Sequence, residues 1–237
     1  MPGYARRMRP APALQHDRYG SEQIAHAVAI AGWHVTRASK NAALESEVLA
    51  LAQSFGVPVP GRGSRVVEIL EPVAKTAANT NSLSALHGDG AFPLHTDGAH
   101  HLSPPRYLIF ACEQPGASPV PTVLQRFDEI DLSDAERRAS EAATFLFRNG
   151  RRSFYSTMLN PARPFVRFDQ GCMMPLDDDA RAAMDAVVAR AAEMTPQEHH
   201  WAAGEILVLD NWRVLHGRGR ANDRASSDRR LLRVSVQ

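Results

Sequence analysis

Residues 204–218 read GEILVLDNWRVLHGR. Residues 205–211 are a short apolar run with β-branched members, and a polar turn and His216 follow it. Such a run is too short for a buried helix and reads as a strand. Working outward, the same signal recurs in RVVEIL (65–70), RYLIFACE (106–113), TVLQRF (122–127), ATFLF (143–147), SFYSTM (153–158), PFVRF (164–168) and LLRVSV (231–236). A shorter strand is expected at 33–36. Helical signals are fewer. Ser21 opens one helix, and Ala43, Leu44, Val48, Leu51 and Ala52 share an apolar face in a second, which Gly56 closes. Ser133 with Glu136 forms a capping box, and Asp177, Asp178 and Asp179 lead the last helix at the positive end of its dipole. Eight short strands with a few packed helices predict a mainly β double-sheet barrel or jelly roll with flanking helices, not a parallel βαβ sheet.

The 237 residues carry no internal repeat and no linker, so one domain over 1–237 is expected, with a loose Pro- and Arg-rich segment at 1–20. Hydrophobic residues make up 44% and the formal net charge is +1, with no basic run interleaved with aromatics. That balance predicts no nucleic-acid partner. No stretch has the ~18 apolar residues a membrane span needs, and no apolar leader follows the N-terminal arginines. A soluble, cytoplasmic protein is expected, with Cys112 and Cys172 as free thiols, being 60 residues apart without metal or redox spacing.

The stretch HGDGAFPLHTDGAHH (87–101) contains His-x-Asp twice. Alternate side chains of a strand share one face, so His-x-Asp can deliver an imidazole and a carboxylate to one cation. A second histidine from another strand would complete a two-histidine, one-carboxylate face, which suits non-haem Fe(II) and leaves positions open. His95 and Asp97 follow the apolar AFPL and can be held rigidly, whereas His87 and Asp89 are hemmed by glycine. The second pair is therefore favoured, with His216 as the distant ligand.

With these residues assembled, the chain resembles the taurine dioxygenase (TauD/TfdA-like) family of Fe(II)/2-oxoglutarate-dependent oxygenases. The resemblance is carried by GAFPLHTDGAH, by the Pro-Thr pair at 121–122, by LVLDNWRVLHGR and by RRLLRVSV, over residues 80–237. It implies a double-stranded β-helix (jelly-roll, cupin-like) core. It also implies that His95, Asp97 and His216 hold the metal, and that Thr122 and Arg233 bind the far carboxylate of 2-oxoglutarate, with Arg229 as companion. The RRLLR register leaves Arg230 as an alternative to Arg233. The implied cofactors are Fe(II), 2-oxoglutarate as co-substrate, and O2. The implied reaction is oxidation of an unactivated C–H by hydroxylation, desaturation or cyclisation, with release of succinate and CO2.

A small polar substrate is expected: an amino acid, a sulfonate or a natural-product intermediate. Candidate contacts are Asn79, Asn81, Ser82, His87 and Arg152, and Asn211 or Arg213 could orient the distal histidine. Two other readings stand beside this one. One is a zinc or manganese hydrolase or isomerase using the same triad, which gives Thr122 and Arg233 no role. The other is a catalytically silent binding domain of the same fold. For its apparent family the chain is short, which leaves the site either open or completed by a second copy in a homo-oligomer.

Overall fold

The computed structural model of the chain describes residues 17–39, 42–78, 83–88, 90–117, 120–160, 162–220 and 228–237. The helices are α1 (Asp17–Ala31), α2 (Leu44–Phe55), α3 (Leu83–His87), α4 (Asp134–Ala142) and α5 (Asp178–Glu193). The strands are β1 (Trp33–Arg37), β2 (Pro58–Val59), β3 (Val67–Leu70), β4 (Phe92–His95), β5 (Tyr107–Gln114) and β6 (Thr122–Arg126), then β7 (Phe145–Asn149), β8 (Arg152–Ser156), β9 (Leu159–Asn160), β10 (Arg163–Val166) and β11 (Met173–Pro175), and finally β12 (Gln197–His199), β13 (Glu205–Asp210), β14 (Val214–Arg218) and β15 (Arg230–Val236).

The large sheet has the order β1-β13-β5-β15-β2, with β3 also paired to β15. A second sheet runs β12-β6-β14-β4. All of these pairings are antiparallel. Alternation along β5 sorts its side chains between two cores. Ile109 and Ala111 face outward with Val208, Val234 and Val236, and α1 and α2 cover them with Val28, Val48 and Ala52. Leu108, Phe110 and Cys112 face inward with Leu207, Leu209 and Leu231, and meet Leu124 and Val214 of the second sheet and Trp201. Burying both faces of the large sheet makes its central strands near-continuous apolar runs, which is why they were visible in the sequence. The two facing sheets are the double-stranded β-helix core. A third core lies under α4 and α5, where Phe145, Phe147 and Met173 pack with Ala183 and Val187.

The capping box at Ser133 and Glu136 forms in both directions, and Asp177 caps α5 by accepting from the Ala180 amide at 2.7 Å. Helix α1 starts at Asp17, four residues before the expected Ser21, and residues 1–16 lie outside the described residues. Among the described residues no helix is long and apolar enough to cross a membrane.

Candidate metal centre

Strands β14 and β4 carry the two histidines. His216 and His95 are direct cross-strand partners, so their side chains leave the same face of the sheet. Their ring centroids lie 4.5 Å apart with the planes tilted by 42°. The pairing shifts register immediately beyond, where Arg218 faces Phe92. Gly217 sits in that irregularity. A Cβ there would lie 2.6 Å from the Phe92 carbonyl oxygen and 3.1 Å from that of Pro93, so only glycine allows the strands this close.

His95 is buried, and its Nδ1 lies 3.0 Å from the Pro93 carbonyl oxygen. That contact fits an Nδ1–H donor, which leaves Nε2 with a free lone pair for a metal. His216 is buried beside Phe110, whose ring centroid is 5.9 Å away. Burial, reinforced by His95, pushes the His216 imidazole down to about 3, so it is neutral at physiological pH. Its Nδ1 finds no hydrogen-bond partner among the described residues. A buried imidazole nitrogen without a partner is costly in an ordinary core and expected in a ligand site.

Asp97 follows the end of β4 and is pinned from three sides. Thr96, fully buried, donates from its hydroxyl to the Val166 carbonyl at 3.2 Å and accepts from the Phe168 amide at 3.2 Å. Asn211 accepts from the Asp97 amide at 2.9 Å and donates to the Asp97 carbonyl at 3.0 Å and the Pro105 carbonyl at 2.8 Å. The Asp97 carboxylate accepts from Arg233 Nη1. Burial alone would raise this carboxyl, but Arg233 and the neighbouring imidazoles hold it down at about 2.

Among the described residues no three His, Cys, Asp or Glu side chains are already gathered as a closed metal cluster. The imidazoles are together, while the carboxylate is engaged by Arg233. The donor set nevertheless fits iron: two imidazoles on paired strands and one carboxylate two residues beyond the first of them.

Arg233 sits in the middle of β15, opposite Phe110 on one side and Glu68 on the other. Its Nη2 and Nε donate to Glu68 Oε2 at 2.7 and 3.1 Å. The side chains of Arg233, Asp97 and Glu68 keep 20%, 23% and 11% of their surface, so the cluster opens to solvent. This placement departs from the expectation that Arg233 reaches the far end of the co-substrate. The alternation of β15 puts its guanidinium at the Asp97 carboxylate instead. Arg229, four residues earlier and just before β15, donates to the Val120 carbonyl at 3.0 Å, near Thr122. Burial lowers the Arg229 pKa, with Cys112 acting the other way. No carboxylate among the described residues forms an ion pair with it, so it is a half-buried cation available to an anion. Arg230 faces away, exposed, in ion pairs with Glu113 and Glu71.

Thr122 opens β6, and its hydroxyl oxygen accepts from the Trp201 indole N–H at 2.9 Å. His87 ends α3 at the rim, 5.8 Å from the Phe92 ring by centroids, and its imidazole is lowered by burial and by Lys75 and Arg218. Arg218, buried, donates to the carbonyls of Gly90 and Gly88, both at 2.6 Å, and lies 3.9 Å over the Phe92 ring. Arg152 is not brought to this cluster. It is exposed and pairs with Asn149 beside Gly150, whose φ of 59° makes the tight turn that carries the hairpin tip into solvent. Asn79, Asn81, Ser82 and Asp89 lie outside the described residues. Asn211 acts on the Asp97 backbone and not on His216, and Arg213 ties the Ala29 carbonyl and Asp128 on the outside.

Sequence reasoning passed over Glu68 and Trp201. Glu68 had a signal, a lone acid inside the apolar run RVVEIL. Trp201 had none, because its polar neighbours His199 and His200 read as loop.

Residues 131–235 match the sequence model of the taurine catabolism dioxygenase TauD, TfdA family. Comparison with curated protein sequences finds no significant match. Among solved structures, an asparagine oxygenase in complex with Fe(II), 2S,3S-3-hydroxyasparagine and succinate superposes with a TM-score of 0.74 at 19% identity, over 93% of this chain and 79% of that one. The non-heme iron oxygenase OrfP in complex with Fe and alpha-ketoglutaric acid gives 0.73 at 21% identity, over 93% and 80%. The PvcB protein from Pseudomonas aeruginosa gives 0.70 at 17% identity, over 96% and 83%. At these identities the superpositions speak for the fold.

Proposed function

We propose that this chain, whose residues 131–235 match the TauD, TfdA family model, is an Fe(II)/2-oxoglutarate-dependent dioxygenase of that family and that its substrate is an α-amino acid. The observation that carries the proposal is the Glu68–Arg233 pair, at 2.7 Å, beside the metal ligands. A guanidinium next to a carboxylate is the mirror of the carboxylate and ammonium of a zwitterion. Formal charge favours the same class. The two positive charges of ferrous iron with Arg229 and Arg233 balance Asp97, Glu68 and a dianionic co-substrate. A loaded site of that composition is neutral and has no use for a bare anion. The amino acids named in the complexes of solved oxygenases of this fold, 2S,3S-3-hydroxyasparagine and (3S)-hydroxy-L-Arg, are of this class.

In this reading His95, Asp97 and His216 hold the iron. Thr122 and Arg229 take the far carboxylate of 2-oxoglutarate, and Arg233 serves the metal edge. Bound there, ferrous iron and 2-oxoglutarate supply the oxidising power that functionalises a C–H bond, with succinate and CO2 as by-products. The protein's part is to hold and orient. Asn211 and Thr96 fix the Asp97 backbone, Pro93 fixes the His95 tautomer, and Phe110 and Leu231 make the seam between the sheets apolar.

The test is a substrate panel. Protein loaded anaerobically with Fe(II) and 2-oxoglutarate is mixed with oxygen and with amino acids, sulfonates or simple carboxylic acids, and succinate is measured. Amino acids should stimulate succinate, and Glu68→Gln should weaken that stimulation while leaving iron binding intact. Stimulation by carboxylic acids equal to that by amino acids would remove the role given to Glu68.

A further inference from the structure

We infer that Trp201 is a positioning residue for co-substrate binding: its indole N–H sets the Thr122 hydroxyl as a donor toward the carboxylate of 2-oxoglutarate. The inference rests on the reading of Thr122 given above. A threonine hydroxyl has one hydrogen to give and two lone pairs to receive, whereas an indole N–H can only give. The 2.9 Å contact between Trp201 Nε1 and Thr122 Oγ1 can therefore run one way only. It fills a lone pair and turns the hydroxyl hydrogen away from the indole.

Without that contact, a threonine hydroxyl rotates freely and commonly donates to nearby backbone carbonyls. Carbonyls are at hand here, since Arg229 already uses that of Val120. The tryptophan is itself immobile. It is buried among Cys112, Leu124 and Leu231, and the His199 ring packs edge-on against it, with ring centroids 4.4 Å apart. His199 is in turn the cross-strand partner of Thr122. The indole lies two residues beyond the end of β12 and the hydroxyl opens β6, and these two strands are paired. The arrangement gives the far carboxylate one oriented neutral donor beside one cation, Arg229.

The experiment is a double-mutant cycle on co-substrate affinity. Binding of 2-oxoglutarate to the anaerobic Fe(II)-loaded protein is measured by calorimetry for wild type, Trp201→Phe, Thr122→Val and the double variant. Loss of one oriented neutral hydrogen bond should weaken binding about fivefold in each single variant. The double variant should be no weaker than Thr122→Val. Steady-state kinetics should show KM for 2-oxoglutarate raised with kcat retained, and Thr122→Ser should bind like wild type. Full additivity of the two losses would mean that Trp201 only packs, and the inference falls. Thr122→Val weak with Trp201→Phe normal also sinks the inference but spares the reading of Thr122. Thr122→Val binding normally sinks both. If Trp201→Phe does not fold, indole 15N–H resonances decide. A resonance that moves in Thr122→Val and not in Thr122→Ser supports the contact, and none that moves overturns it.

Discussion

Replacing Gly217 by alanine tests whether the closeness of two strands is what builds the metal centre. The new Cβ would sit 2.6 Å from the Phe92 carbonyl oxygen, and an ordinary contact begins near 3.4 Å. Both neighbours are backbone, so neither can swing aside, and β14 and β4 must part by the difference, about 0.8 Å. That exceeds the ~0.5 Å within which a ligand constellation keeps its geometry. His216 is the adjacent residue and His95 its direct partner. Overpacking of this kind costs about 1–3 kcal/mol, which for a chain of this size lowers the melting temperature by roughly 2–12 °C. Metal affinity should fall tenfold or more, by the usual effect of disturbing what orients a ligand. The assay is thermal melting of the metal-free protein together with calorimetric titration of a divalent metal. Gly20→Ala is the control, because nothing lies within 4 Å of its added Cβ. Gly217→Ala that melts and binds metal like Gly20→Ala would refute the reasoning.

Arg229→Gln removes the cation proposed for the far carboxylate. A lost charge-assisted hydrogen bond should weaken 2-oxoglutarate binding about ten- to hundredfold in calorimetry, with metal affinity unchanged. His199 titrates below its ordinary value because of burial, although Glu205 opposes the shift. The unfolded chain therefore takes up that proton first as pH falls through 6.5. His199 contributes stability above that pH and loses it below. Urea unfolding should give lower stability at pH 5 than at pH 7, with a smaller difference in His199→Gln. Burial also raises both thiols, Cys112 to about 11 and Cys172, which Asp169 pushes further, still higher. Neither should react with an alkylating reagent at pH 8 in the native protein, and both should react after denaturation.

How much of this was legible in the sequence follows from what each signal depends on. Central strands β5, β13 and β15 are buried on both faces, so composition alone exposed them within a residue or two. Strand β14 was hidden, because Val214–Arg218 combines two apolar residues with His216, Gly217 and Arg218, and its pairing depends on a bulge that only tertiary contact creates. Strand β12 was hidden for the same reason, being Gln-Glu-His by composition and a strand only because β6 lies beside it. At the candidate site, the proposed ligand residues follow from a local spacing, His95 to Asp97, plus one distant histidine, His216, which the fold pairs with His95. The two arginines were read as a pair, but where each lies along β15 was not readable. It depends on how β15 lies across β5 and β3, which puts Arg233 at Glu68 and Asp97 and leaves Arg229 at Val120. Arg152 shows the converse error: an Asn-Gly hairpin tip has the polarity of a binding loop and the exposure of a surface one.

The protonation states around the centre explain why so charged a cluster can stand in a seam between two sheets. A metal ligand must be deprotonated before it binds, and burial works against that for a carboxylate and for it in an imidazole. Asp97 would be driven toward its neutral form by its surroundings, and Arg233 reverses this, holding it at about 2. His216 needs no such help, because burial itself takes it to about 3. Arg233 then requires a second counter-charge to stay where it is, and Glu68 supplies it from the neighbouring strand at 2.7 Å. The guanidinium thus holds the carboxylate in its ionised form, and Glu68 would keep it tethered if a metal bound Asp97. With Asp97 as its sole counter-charge, Arg233 would lose its partner if a metal took that carboxylate, and an unpaired charge in a largely buried place is costly. On this argument the two acids are not redundant: Asp97 is the proposed ligand, and Glu68 keeps Arg233 paired in place.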